Sequence, residues 1–486
     1  MARNLRSLLI SILALRHGRN QKQLGAAAGM AQKEVSRYLR QEEMEDDIYE
    51  RLLAGTKCRP AEVPIVMACL ESLDFLENGQ ELTPEERDEV EMGVLAVTRL
   101  IREVLTEAAR QSRTIPAFDD YPRPAELEPA RWHAGVVFSL LVGFTEDQRL
   151  AVVRVVREIQ SWALVERLCE ESVVEASRDL GRAASLTRLA KEAAERVRGP
   201  EGWRRRVQGF AAAHGANILR VTGELQGAEE ALEEAKRLWL DGADPDGVLD
   251  PGRLLDLEAS LRRAQRRFEE ALARVDEAVA VGRCSGRYLI NKGFTLEVMG
   301  EYERAIESLL EAELLPDVQG DRRLRNILYC NLGFNFCHAG RFAEAADLAR
   351  QVHDAAVQMG DEIGVLRATW LDGRIAAGLG RTVEALSLLE QARREFAARK
   401  MWYDVALALL EEAALLLDQG RTGEVKTLSR GLAKVFEAKG VHRETLAALR
   451  LFREAAEREE ATAELARRVL CYLFRARHDQ GLRFDP

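Results

Sequence analysis

The sequence predicts an all-α protein: a small five-helix domain built around a helix, a sharp turn and a second helix, followed by an α-solenoid of helical hairpins. Three observations predict it. Between Gln21 and Arg40, Leu24, Met30, Val35 and Tyr38 fall where two crossing helices would bury them, with Gly29 at the turn. Further on, Gly300, Gly340, Gly380 and Gly420 recur at forty-residue intervals, and so do Gly293, Gly333 and Gly373, and Ala305, Ala345 and Ala385. No run alternates convincingly as a strand.

The elements follow in order. Leu5, Leu8, Leu9, Ile12 and Leu13 repeat at helical spacing and predict a first helix backing the pair. In the pair, Gly25 lets the second helix come close, and Gln32, Lys33, Ser36 and Arg37 share its outward side. The acidic run after Arg40, with six acids between Glu42 and Glu50, reads as a solvated helix start or as a shield for the basic face. Helices over 48–54 and 61–73 would complete a domain of residues 1–75. Thr83-Pro84-Glu85-Glu86 is a helix-start signal, with Thr as cap, Pro at the first position and Glu three residues after the cap. The helix it opens would run to about Arg110, buried against its own body or paired with a second copy. Pro116, Pro122, Pro124 and Pro129 mark a linker, so residues 76–130 read as connecting helix and linker. Residues 131–486 then form the solenoid. Its signature is strongest over 252–398, with further hairpins at 145–198, 203–240 and 403–438 and a closing cap at 441–477. Ala271 precedes Ala305 by thirty-four residues, and Tyr302 and Phe342 would fill the joints between paired helices.

Residues Gln21, Leu24, Gly25, Gly29, Met30 and Val35-Ser36-Arg37 resemble the Cro/lambda-repressor (XRE) class of helix-turn-helix domains. The resemblance implies that the second helix enters the major groove of double-stranded DNA. Gln21 would then touch a phosphate, and Gln32, Lys33, Ser36 and Arg37 would face the DNA. Two positions depart from the pattern. Ala31 stands where the class has a capping Ser, a loss worth about 1 kcal/mol, and Leu39 replaces a common Glu. The forty-residue register resembles tetratricopeptide repeats in a lengthened form. An XRE head joined to such repeats is similar in layout to the quorum-sensing peptide receptors of Gram-positive bacteria.

Composition narrows the class. The chain of 486 residues is 47% hydrophobic and 31% charged, which describes a globular protein with room for two or three domains. The longest apolar run, Ala134 to Phe144, is too short to span a bilayer. No secretory signal is recognisable, and seven cysteines without framework spacing fit reduced thiols in a cytoplasm. Residues 1–41 hold eight Lys or Arg against one acid, a net +7, so the remainder carries −17 of the chain's −10. Such a head would meet DNA while the body repels it.

On the repeats, Asn291 and Asn331 occupy one first-helix position. Their amides, which both donate and accept, would hold an extended peptide or protein segment, or would merely satisfy neighbouring helix ends with no ligand in the groove. Phe294, Phe334, Trp370 and Arg374 would add pockets and a carboxylate partner. Arg262, Arg263, Arg266 and Arg267, and Arg204 to Arg206, read as solvated faces pairing with nearby Glu, or as an anion or DNA-backbone patch. Cys330, Cys337 and His338 lie on one helix without the second ligand pair that zinc would need. No phosphate loop, H-E-x-x-H or nucleophile elbow occurs, and Glu170-Glu171 and Glu411-Glu412, adjacent along helices, do not face each other. The expectation is a cytoplasmic, non-enzymatic regulator without cofactor or metal, dimeric on operator DNA, whose repeats sense a peptide or protein. The alternative is a tetratricopeptide scaffold for protein–protein interaction.

Overall fold

The computed structural model describes residues 21–39, 44–58, 121–432 and 443–476, except positions 143, 145, 177, 178 and 284, with isolated positions near either end and Val63. The expected helix at 83–110 lies outside the described residues, as does that at 61–73 apart from Val63. Among the described residues every regular element is helical. The chain divides into two compact units, residues 1–249 and 250–486.

The first unit begins with Leu9, Ile10, Leu13 and Ala14, all helical and buried. Three short helices follow: α1 (Gln21–Ala28), α2 (Gln32–Tyr38) and α3 (Asp46–Thr56). Ile10, Leu24, Val35, Ile48 and Leu52 share one core, with Met30, Tyr38 and Leu39 packed against it. The rest of the unit comprises a 3-10 turn at Pro124–Glu126, then α4 (Leu127–Leu141), α5 (Glu146–Val155), α6 (Trp162–Glu175), α7 (Leu180–Ala194), α8 (Glu201–Val221) and α9 (Leu225–Asp241).

Two sequence expectations change here. The described end of the Pro-rich stretch is anchored rather than loose. The Tyr121 ring lies edge-on to Trp203 at 5.1 Å, and its hydroxyl donates to Asp244 at 2.6 Å. Pro129 sits inside the first turn of α4, where an N–H would have no intrahelical acceptor, so proline costs nothing there. The single hairpin expected at 145–198 is instead a lone helix, α5, ahead of the pair α6 and α7. Ser161 separates them by capping α6, its hydroxyl accepting from the Leu164 N–H at 3.2 Å.

Among its described residues the second unit stacks five hairpins: α10 (Pro251–Ala264) with α11 (Phe268–Val281), α12 (Ser285–Met299) with α13 (Tyr302–Glu313), α15 (Arg322–His338) with α16 (Phe342–Met359), α17 (Glu362–Gly378) with α18 (Thr382–Ala398), and α19 (Trp402–Asp418) with α20 (Thr422–Ser429). The short helix α14 (Pro316–Gly320) bridges the second and third. Within each hairpin one turn geometry recurs. Gly300, Gly340, Gly380 and Gly420 take φ between +70° and +82°, and Arg266 takes +66° at the corresponding place. In every case the next residue's N–H reaches back five residues, from Glu301 to Leu296 O and from Arg341 to Phe336 O for example, at 2.8–2.9 Å. This left-handed helix ending satisfies carbonyls the helix would otherwise leave open. After it, Arg267, Arg341, Arg381 and Arg421 each pair with the Glu three residues on.

Small residues close the joints. Ala305, Ala345 and Ala385 are fully buried. A Cβ added at Gly293 would lie 2.7 Å from Leu309, and one at Gly378 would lie 2.2 Å from the Phe342 ring. Beyond the hairpins, α21 (Arg443–Glu457) leads to α22 (Ala463–Ala476), which runs antiparallel along α19. Arg467 pairs with Asp418 at one end, and the Tyr403 hydroxyl donates to the Leu473 carbonyl at 2.5 Å at the other.

Gly340→Ala forces a side chain into the left-handed region and is expected to lower the stability of the repeat unit by about 1 kcal/mol. Gly320→Ala, whose added Cβ meets nothing within 4 Å and whose φ is negative, is expected to be neutral or stabilising. Denaturant unfolding of the two variants checks this, and the reverse order would contradict the turn geometry.

Candidate functional site

Two surfaces carry the residues singled out from sequence. On the first, α2 leaves Gln32 and Lys33 exposed while Val35 is fully buried beneath them. The side chains of Gln21, Ser36 and Arg37 lie outside the described residues. The turn is held from three directions. The Met30 N–H donates to the Gly25 carbonyl at 2.8 Å, and a Cβ at Gly25 would stand 2.7 Å from the Met30 oxygen. Arg51, from α3, donates to the carbonyls of Ala28 at 3.0 Å and Gly29 at 3.2 Å, closing the end of α1. The start of α2 lacks a capping hydroxyl at Ala31, yet the Glu34 carboxylate accepts from the Ala31 N–H at 2.9 Å. That is the half of a capping box that does not need a serine. Arg51 was not singled out from sequence, because nothing in its spacing separates it from a solvated arginine.

On the repeats, the first helices of successive hairpins bring the expected residues onto one side, but not as an open groove. Asn291 is engaged within the protein. Its amide donates to Asp256 at 2.5 Å and its oxygen accepts from Arg263 at 2.6 Å. Arg263 also donates to Thr295 at 2.9 Å and covers the Phe294 ring at 4.6 Å. The expected solvated arginine face is therefore half wrong. Arg262 and Arg263 are buried, Arg262 bonding to Glu258 at 3.1 Å, whereas Arg267 is exposed and paired with Glu270. Burying these guanidinium groups is tolerable because they meet acceptors, Glu258 and Gln265 for Arg262 and Asn291 and Thr295 for Arg263. In the second basic run Arg205 pairs with Glu201, and Arg206 lies over the Trp239 ring at 4.3 Å.

Asn331 is half-buried, and its carbonyl accepts from the Asn335 amide at 2.8 Å. Phe334, Trp370 and Arg374 do come together, under α22 rather than in the open. Trp370 is 3% exposed. Its indole N–H donates to Glu411 at 2.5 Å, and Arg374 Nε donates to the other oxygen of Glu411 at 2.9 Å. Arg374 lies 5.5 Å from the Phe334 ring and 4.8 Å from that of Phe474 on α22. Phe474 is nearly parallel to Trp370 at 5.9 Å and edge-on to His338 at 4.7 Å, and His338 stacks on Tyr302.

Burial raises the Glu411 carboxyl, with Arg374 and the Trp370 N–H pulling it back. Burial, then the nearby Arg374 charge, holds His338 well below 6.5, so its ring is neutral and its Nδ1 can face Arg374 Nη2 at 3.5 Å. Burial pushes the Cys330 and Cys337 thiols up to about 11, keeping them protonated. Among the described residues no three His, Cys, Asp or Glu side chains converge as metal ligands, and no helix is long and apolar enough to cross a membrane. Glu411 and Glu412 do turn to different partners, Arg374 and Arg393.

Glu411, His338 and Phe474 complete this cluster and were not assigned to it from sequence. Glu411 had a usable signal, since it continues the forty-residue register of 291, 331 and 371. Phe474 had none, because α22 lies outside the repeat.

No family model matches the sequence, and no curated protein matches it. Among solved structures the chain is similar to a Rap protein complexed with Competence and Sporulation Factor, at 12% identity and TM-score 0.48, covering 66% of this chain and 87% of that one. It is similar to the apo form of RapI at 11% identity and TM-score 0.45, covering 64% and 86%. It is also similar to a Signal Transduction ATPase with Numerous Domains (STAND) protein with a tetratricopeptide repeat sensor from Pyrococcus horikoshii, at 14% identity and TM-score 0.47, covering 95% and 74%. All three likenesses are weak.

A group kept neutral by the fold stabilises it only while the unfolded form is also neutral. For His338 that stability is present above about pH 6.5 and is lost as pH falls below it, because the unfolded ring takes up a proton that the folded one refuses. The raised Glu411 carboxyl acts in the opposite sense. Between pH 7.5 and 5.5, His338→Phe is therefore expected to flatten the acid-side loss of repeat-unit stability, by up to about 1.4 kcal/mol per pH unit. Denaturant midpoints of both proteins at each pH measure it.

Proposed function

We propose that the chain is a DNA-binding transcriptional regulator. Its first 75 or so residues read double-stranded DNA through α2, and its repeat unit receives a peptide or protein partner. The observation that carries the reading is the pairing of a tightly fixed turn with an outward polar face. Met30, Gly25 and Arg51 hold the turn, while Gln32 and Lys33 project away from the core of Leu24, Val35 and Leu52. A reading helix has to be held rigidly by residues that do not themselves touch DNA. The net +7 of residues 1–41 on an otherwise acidic chain supports the same reading. Two copies on a palindromic site would supply the affinity that one short helix lacks.

Arg37→Ala is expected to weaken binding to a specific site by about 1–3 kcal/mol and to relax base preference there. Lys33→Ala, as a phosphate contact, would weaken all sequences alike and lower the salt slope by about 1. Sequencing of fragments enriched by the purified protein, then titration at two salt concentrations, checks both. Equal retention of every duplex by wild type and Arg37→Ala would overturn sequence reading. Protein partners recovered with no DNA retention at all would favour the scaffold.

A further inference from the structure

The inner residues of α15, α17 and α19 are already seated by a helix. α22 turns Val469, Leu473 and Ala476 inward and leaves Glu464, Arg467, Arg468 and Arg475 exposed, while Cys471, also exposed, lies one turn before Phe474. It crosses from α19 past His338 and Arg374 to the neighbourhood of Tyr302 and α12. Phe474 is the anchor, boxed by Trp370, His338 and Arg374.

The fit is incomplete at one point. Both oxygens of Glu411 are taken by Trp370 and Arg374 Nε, and Arg374 Nη1 is buried with no acceptor among the described residues. A buried cationic donor without an acceptor is costly, so a helix bringing a carboxylate to that spot complements the seat better than α22 does. Position 471 is the place for it. On α22 it precedes Phe474, whose ring lies 4.8 Å from the Arg374 guanidinium, by one helical turn, so a side chain longer than cysteine can extend from it along the same wall.

We propose that the seat formed by Phe334, His338, Trp370, Arg374 and Glu411 is a receptor for an amphipathic helix of a partner protein. That helix carries an aromatic ring and, one turn before it, an acidic residue, and α22 is its exchangeable resident. This rests on the reading that the repeat unit receives a partner, and it narrows the ligand from an extended peptide to a helix. A tethered occupant competes at an effective concentration of the order of millimolar. The partner's apparent affinity therefore scales with the fraction of molecules in which α22 is open.

The test uses the full chain and a labelled synthetic peptide of residues 463–476 with Cys471→Ser. Phe474→Ala in the chain is expected to bind this peptide at least tenfold more tightly than wild type does. The peptide carrying Cys471→Glu should bind at least threefold more tightly than the Ser peptide. Native-state hydrogen exchange of the wild-type chain should show residues 463–476 at least tenfold less protected than residues 402–418, a result that does not depend on any variant folding. Equal protection of the two segments overturns exchange. So does peptide binding by a folded Phe474→Ala chain no tighter than by wild type, and a Glu peptide no tighter than the Ser peptide removes the acidic requirement. A captured partner that protects other first-helix residues while 463–476 stay seated would keep the receiving role and sink this seat.

Discussion

A left-handed residue after each first helix sets the geometry on which the repeat unit depends. At that residue the chain reverses with its last carbonyl bonded five residues ahead, and the second helix starts in the same direction every time. Four of the five positions are glycine. Because the turn repeats at forty residues, positions 291, 331, 371 and 411 come to the same side of successive first helices, and so do 294, 334 and 374. The side chains at these positions are only partly repeated, and what they do differs. Asn291 closes a polar seam with Asp256 and Arg263, while Glu411 joins Trp370 to Arg374.

Those two clusters divide the unit by chemistry. Around α10 and α12, buried Arg253, Arg262 and Arg263 bond to Asp256, Glu258, Asn291 and Thr295, and the Arg263–Asn291 bond ties the first hairpin to the second. Around α17 and α19 a single ion pair, Arg374–Glu411, is enclosed by rings. The aromatic rings of Trp370, Phe396 and Phe474 shield the Arg374–Glu411 pair from water, and this raises the cost of leaving Arg374 Nη1 without an acceptor. The same low-dielectric shell keeps His338 uncharged.

The repeat was legible in sequence because glycine and small residues have few alternative explanations at a fixed interval. Gly340 reports a left-handed backbone, and Gly293 and Gly333 report a neighbour too close for a Cβ. Side-chain partnerships were not legible. Arg263 and Arg267 differ by four positions and look alike in a basic run, yet one is buried against Asn291 and the other pairs with Glu270 in water. What separates them is which neighbouring helix passes overhead, a fact of tertiary packing. In the same way Trp370 and Arg374 carried the chemistry of a binding surface in sequence, and only the path of α22 decides that they are covered. At the other end, the substitution of Ala31 for a capping hydroxyl suggested a weakened α2. The reciprocal bond from Glu34 three residues on was there to be read.

The covered seat also bears on why an ion pair is kept there at all. Replacing a buried pair by well-packed apolar residues is often neutral or stabilising by about 1–4 kcal/mol, so stability alone does not favour Arg374 and Glu411 over two leucines. An apolar wall would accept almost any hydrophobic helix in several registers. A wall with one oriented carboxylate, one indole N–H and one guanidinium accepts an aromatic ring in one place. The Tyr403 hydroxyl on the Leu473 carbonyl and the Arg467–Asp418 pair fix the direction of the helix as well. The polar groups thus select among helices at a cost in stability. A seat of that kind distinguishes its occupant, whether the occupant comes from its own chain or from another.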